Sequence, residues 1–208
     1  MSIKKKTKIA VFVSGGGTNL QALIDAQGAG IIKSGEISLV VSNNPDAYAL
    51  ERAKKAGIAT AVIPGKEYKD QAAFESKLIE TLNDAEIELI VLAGFMRILS
   101  ESFTSRYPKR IINVHPSLIP SFCGKGFYGL HVHEAALAYG VKVTGATVHF
   151  VNEIPDGGEI ILQKSVRILK GDTPERLQKR VMQEAEWKIL PRAVELVSKE
   201  LMKNKEGK

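Results

Sequence analysis

Asn113 and His115 stand two residues apart at the end of the apolar run RIINVH, directly before Pro116. On an extended strand, residues two apart share a face. An amide NH2 and an imidazole aimed at one point can stabilise a developing oxyanion, and the imidazole can also carry a proton. Pro116 fixes its own φ, biases His115 towards extended conformations and ends the ladder. The same residues also describe a polar strand end bonded to a neighbouring loop, and the local sequence leaves both readings open. Asp156, in IPDGGE, is the third candidate. Asp-Gly is equally the signature of a turn between strands. A turn folded back beside His115 would bring a carboxylate that raises the imidazole pKa and favours imidazolium.

A second feature is the glycine loop SGGGTN at 14–19. A glycine-rich turn from strand to helix exposes backbone N–H groups at a positive helix end, which suits phosphate. The loop lacks the P-loop lysine and does not match GxGxxG, so Walker A and dinucleotide fingerprints do not fit. A tight turn without ligand is the alternative. Thr18 and Asn19 add side-chain hydrogen bonds. His131, His133 and His149 read as structural, and no carboxylate or thiol completes a metal set around the first two. Cys123 is the only cysteine, so neither an intramolecular disulfide nor a zinc pattern is available.

These groups need elements to position them. Buried-strand runs at 8–14, 37–43, 59–63, 88–94 and 110–115 alternate with helical patterns at 19–27, 46–55 and 70–83. Such alternation predicts an α/β fold: a mostly parallel twisted sheet with helices on both faces and right-handed crossovers. Ligands in these sheets bind beyond the carboxyl ends of the strands. Ser14, the GFMR segment after 88–93 and the Asn113/His115 pair should therefore share a rim. A helix at 131–139 precedes two longer, partly alternating runs, 141–151 and 158–166, which predict an antiparallel edge. Thr173 and Pro174 open a last helix running towards 200, with Pro191 expected to kink or break it. The expectation is one domain over 1–208, with flexible tails at 1–7 and about 200–208.

Composition narrows the class. With 44% hydrophobic and 25% charged residues the chain is an ordinary globular sequence. No apolar run reaches membrane-span length, and MSIKKKTK is not followed by a signal-peptide core, so a cytoplasmic protein is expected. The formal charge of +6 collects at the ends, four units in residues 1–8 and two in 199–208. The near-neutral body argues against nucleic acid as a partner.

Four segments occur in order: SGGGTNLQALIDA, LAGFMRILS at 92–100, NVHPSLIPSF at 113–122 and GATVHFVNEIPDGGEII at 145–161. Together they resemble the phosphoribosylglycinamide formyltransferases, folate-dependent enzymes of purine synthesis, over roughly residues 8–197. The resemblance implies a Rossmann-like fold. It implies formyl transfer from 10-formyltetrahydrofolate to glycinamide ribonucleotide in IMP biosynthesis, with Asn113, His115 and Asp156 as the catalytic trio. Gly16, Gly17, Thr18 and Asn19 would hold the ribonucleotide, with Gln183 and Glu186 on its ribose. Met96, Arg97, Ile98 and Leu99 would line the folate pocket with Asn113, and the loop at 152–156 would complete it. No metal and no tightly bound cofactor are implied. The expected partners are the two small substrates, with neither nucleic acid nor membrane, in a monomer or homodimer. The chain departs from the family pattern in SFCGKGFYGL at 121–130, in Pro155, and in Gln71, near which relatives carry a folate-binding arginine. A formyltetrahydrofolate hydrolase or methionyl-tRNA formyltransferase would want a further domain. A non-catalytic nucleotide-binding module would keep the glycine loop without turnover.

Overall fold

Residues Ile9 to Val13 of the first strand, β1 (Thr7–Val13), are all fully buried. Ile9, Val11 and Val13 enter one apolar cluster, while Ala10 and Phe12 enter another. Alternate residues of a strand point to opposite faces, so this strand must be covered on both sides. A computed structural model describes residues 5–206 and shows that cover. Helices α1 (Thr18–Gly28) and α2 (Tyr48–Lys55) pack on the face of Val11, and α3 (Gln71–Asp84) on the face of Phe12.

The other strands are β2 (Gly35–Ser42), β3 (Ala59–Val62), β4 (Leu89–Leu92), β5 (Ile111–His115), β6 (Val143–Phe150) and β7 (Ile160–Arg167). They form one sheet in the order β3-β2-β1-β4-β5-β6-β7. The first five pair in parallel; β6 runs antiparallel to both β5 and β7. The expected α/β architecture with an antiparallel C-terminal edge is therefore what the chain adopts. Chain order reverses direction between β1 and β4, the place where a crevice opens at the strand ends. Across β5 and β6, Asn113 lies opposite His149 and His115 opposite Thr147.

Two details differ from expectation. The last helical stretch is not broken at Pro191. It runs as α6 (Pro174–Val181), a π-helical segment Met182–Glu186 and α7 (Trp187–Glu206), with Pro191 inside α7. The irregularity lies upstream of the proline, in the π segment Met182–Glu186. Parts of the two spans expected as flexible tails lie in regular elements. Thr7 belongs to β1, its hydroxyl donating to the Ser198 carbonyl at 3.0 Å, and helix continues to Glu206. Residues 1–4 and 207–208 lie outside the described residues. A short helix, α4 (Glu101–Thr104), follows β4, and α5 (Leu130–Tyr139) precedes β6. Among the described residues no helix is long and apolar enough to cross a membrane.

His133 of α5 is fully buried, and neither ring nitrogen has a hydrogen-bond partner among the described residues. Burial, then the nearby His115, hold its pKa down from 6.5 to about 4. Above the unfolded value the folded and unfolded forms are equally unprotonated. Between about 6.5 and 4 only the unfolded chain gains the proton, so stability falls with falling pH, by on the order of 3 kcal/mol. His133→Gln should flatten the fall in thermal midpoint between pH 7 and pH 4.5, measured by calorimetry on both proteins. Parallel curves for the two would remove His133 from the account.

Candidate active site

The rim forms at the expected strand ends. Ser14, just past β1, donates its hydroxyl to Asn43 Oδ1 at 2.6 Å and accepts the Met96 N–H at 2.8 Å. This bond ties the glycine loop to the loop after β4. Gly17 precedes α1 with φ 71°, in the left-handed region, and a Cβ there would lie 2.6 Å from Ala49 Cβ. Only glycine lets α2 approach this closely. From α2, Ala49 donates its N–H to the Gly15 carbonyl and Arg52 donates Nε–H to the Gly16 carbonyl, at 3.0 and 2.8 Å. Helix α1 then begins without a side-chain cap, leaving a positive end beside the loop.

The polar cluster gathers around Asp156. Its turn between β6 and β7 does fold back on the end of β5. Asp156 Oδ2 accepts the Gly124 N–H at 2.8 Å and lies 3.5 Å from His115 Nδ1. Its Oδ1 lies 3.5 Å from both Asn113 Nδ2 and His149 Nε2. Burial alone would raise the Asp156 carboxyl. The contacts with His149 and His115 and the Gly124 amide outweigh it, and the pKa ends below the ordinary value.

His115 contradicts the expected imidazolium. Its Nε2–H donates to the Phe122 carbonyl at 2.8 Å, and the side chain is only 5% exposed. Burial pushes the imidazole below 6.5; Asp156 and the Phe122 carbonyl oppose that push without overcoming it. The neutral ring therefore carries its proton on Nε2 and turns the Nδ1 lone pair towards Asp156. Two acceptors facing each other explain a separation of 3.5 Å instead of hydrogen-bond length.

His149, read from sequence as structural, belongs to the cluster. Its Nδ1–H donates to the Phe150 carbonyl at 2.7 Å, so Nε2 is free to accept from Asn113 Nδ2 at 3.2 Å. The signal that locates it is the β5–β6 register, which puts it opposite Asn113.

A cleft of about 680 Å³ joins this cluster to the glycine loop. Asn113, His115 and Asp156 line it, as do Thr18, Asn19, Glu186 and the Met96–Leu99 run. Gly16 and Gly17 do not form its wall. Gln183 is exposed and outside the cleft; Gln178 and Met182 of the same helical stretch line it instead. Glu186 accepts from Asn19 Nδ2 at 2.7 Å, and burial pushes its carboxyl up to about 7 against that hydrogen bond. Met96 and Ile98 expose more than half of their surface at the mouth, whereas Leu99 turns into the core. The loop from Asn152 to Asp156 forms the opposite lip. Among the described residues no group of three His, Cys, Asp or Glu is arranged to hold a metal ion.

Residues 7–194 match the family described as formyl transferase. The human trifunctional purine biosynthetic protein adenosine-3 is 46% identical over 195 residues, which are 94% of this chain and 19% of that protein. The chain thus spans about a fifth of its trifunctional relatives. The phosphoribosylglycinamide formyltransferase of Escherichia coli is 43% identical over 183 residues, 88% of this chain and 83% of that protein. The crystal structure of glycinamide ribonucleotide transformylase 1 from Symbiobacterium toebii superposes with a TM-score of 0.87 at 42% identity, covering 93% of this chain and 88% of that one.

In an NMR titration His115 should titrate below 6.5. Asp156→Asn should lower it further, because that change removes the charge favouring imidazolium. A higher value in the variant would mean that the carboxylate does not face the ring in solution.

Proposed function

Because the chain belongs to the formyl transferase family, in its phosphoribosylglycinamide formyltransferase branch, we propose that it formylates glycinamide ribonucleotide from 10-formyltetrahydrofolate. The observation that carries this reading is the single cleft in which Asn113, His115 and Asp156 meet the glycine loop and the Met96–Leu99 run. The ribonucleotide phosphate sits at the amides opening α1, its ribose near Asn19 and Glu186, and its amine towards Asp156. The donor lies along Met96–Leu99 with its formyl group at Asn113.

The residues then divide the chemistry. The amine nitrogen attacks the formyl carbon, and the carbonyl electron pair moves to oxygen. Asn113 has two amide hydrogens; one is held by His149, and the other, at a long 3.5 Å from Asp156 Oδ1, can turn to the oxyanion. The attacking nitrogen must lose a proton, and the donor nitrogen must gain one as its bond to carbon breaks. Ionised Asp156 accepts the amine's proton beside the Nδ1 lone pair of neutral His115, which can take it over, and it is returned to the donor nitrogen as the oxyanion collapses and the carbon–nitrogen bond breaks. Protonation at Nδ1 replaces an acceptor–acceptor contact with an ion pair. His115 thus works as a base stored neutral in the free protein, and Asn113 is the donor to the oxyanion. Holding amine and donor in one cleft supplies a large further part of the rate. The proposed setting is the cytoplasm, within one domain, with small molecules as the partners.

The test mixes purified protein with 10-formyltetrahydrofolate, with and without glycinamide ribonucleotide, and follows both products by mass spectrometry. Formyl transfer that requires the ribonucleotide is expected. Formate without it would indicate a hydrolase, and ribonucleotide binding without donor consumption a binding module. Asn113→Ala should lower kcat by about 100–1000-fold, the usual cost of one oxyanion donor, while the thermal midpoint stays within a few degrees. A loss of stability matching the loss of rate would make Asn113 a structural residue.

A further inference from the structure

Glu75 of α3 is a buried carboxyl group, 3% exposed, outside the polar cluster. Both of its oxygens serve the loop after β4. Oε1 accepts the Ser100 backbone N–H at 2.7 Å, and Oε2 accepts the Ser100 hydroxyl. Ser100 in turn caps α4. One turn earlier on α3, Gln71 donates Nε2–H to Glu75 Oε1 at 2.7 Å and to the Ile98 carbonyl at 3.1 Å. Its Oε1 accepts Arg97 Nη2–H at 2.9 Å. The Arg97 guanidinium lies 4.5 Å from the centre of the Phe74 ring. It also passes so close to Gly65 that a Cβ there would sit 1.9 Å from Nη1.

All of these contacts converge on residues 97–100. At the other end Ser14 holds the Met96 N–H. The Met96–Leu99 run is therefore a short bridge pinned at both ends, with Met96 and Ile98 left exposed over the cleft. We propose that Gln71 and Glu75 are positioning residues that fix this bridge for the formyl donor, Gln71 serving the loop's backbone instead of the donor itself. The inference rests on the reading that Met96–Leu99 bind the donor. A buried carboxyl group needs hydrogen bonds to offset its desolvation, and here every partner belongs to this loop or to the glutamine that holds it. Such a network restricts the loop before the ligand arrives, which lowers the ordering cost of binding.

The experiment compares wild type with Gln71→Ala and Ser100→Ala, two changes that leave the apolar core intact. Kinetics are measured with each substrate varied in turn, and backbone hydrogen exchange is measured on the free proteins. The expected result is a rise of about fivefold in the KM for 10-formyltetrahydrofolate, the worth of one lost hydrogen bond. Ribonucleotide KM and kcat should stay within about twofold, and exchange should quicken at 96–100 in the absence of any ligand. An unchanged donor KM would overturn the proposal, as would a matched rise in both KM values. A wild type that transfers no formyl group would overturn the functional reading and the donor assignment with it. Exchange would then decide the brace alone, and unchanged exchange in both variants would overturn that too.

Discussion

Asp156 occupies a backbone conformation that side chains avoid, with φ 56°. A non-glycine residue there costs roughly 1–2 kcal/mol. The next residues make that conformation possible. A Cβ at Gly158 would meet the Phe150 carbonyl at 1.8 Å, so only glycine lets the turn lie this close to the end of β6. In return the carboxylate reaches the Gly124 amide, Asn113 and two imidazoles, each on a different segment. Beyond the β5–β6 ladder, this one side chain ties the ends of both strands to the loop after Pro120. The Gly124 and Asn113 contacts give it hydrogen bonds of the kind a largely buried carboxylate requires.

The cluster also shows burial prevailing over charge. His115 and Asp156 share a small, poorly solvated volume, and the arrangement favours the charge on Asp156. His115 stays neutral although a carboxylate lies 3.5 Å away, because desolvation outweighs that attraction. From sequence, only the attraction is visible, since exposure depends on what later folds over the ring. The cover comes from the Phe122–Gly124 loop, whose carbonyl and amide engage His115 and Asp156 respectively. A neutral imidazole with its free lone pair beside an acid is suited to receive a proton. An imidazolium would have had none to receive.

Much of the scaffold was legible because its rules are local. The apolar runs predicted all seven strands to within about two residues. Asn113 and His115 were legible as a pair, since strand periodicity alone puts them on one face. His149 was not, because it joins them only through the antiparallel register of β5 with β6, which depends on the whole connection between the strands. Nor could the inward role of Gln71 be read from its own sequence. Its partners at 97 and 98 are brought to it by the packing of α3 against the sheet.

The last helical stretch shows how a local irregularity shapes a wall. Gln178, Met182 and Glu186 line the cleft at intervals of four residues. An ideal α-helix has about 3.6 residues per turn, so residues four apart drift steadily around its axis. The π segment from Met182 to Glu186 is wound more widely, and it turns the drift back over that interval. Glu186 therefore returns to the face that Gln178 began and meets Asn19. Gln183, one step past Met182, is carried off that face into solvent. A straight-helix reading of the sequence puts positions 183 and 186 together, three residues apart on one side. Widening the helix by a single turn separates them, leaving the buried carboxyl group of Glu186 as the polar wall beside the glycine loop.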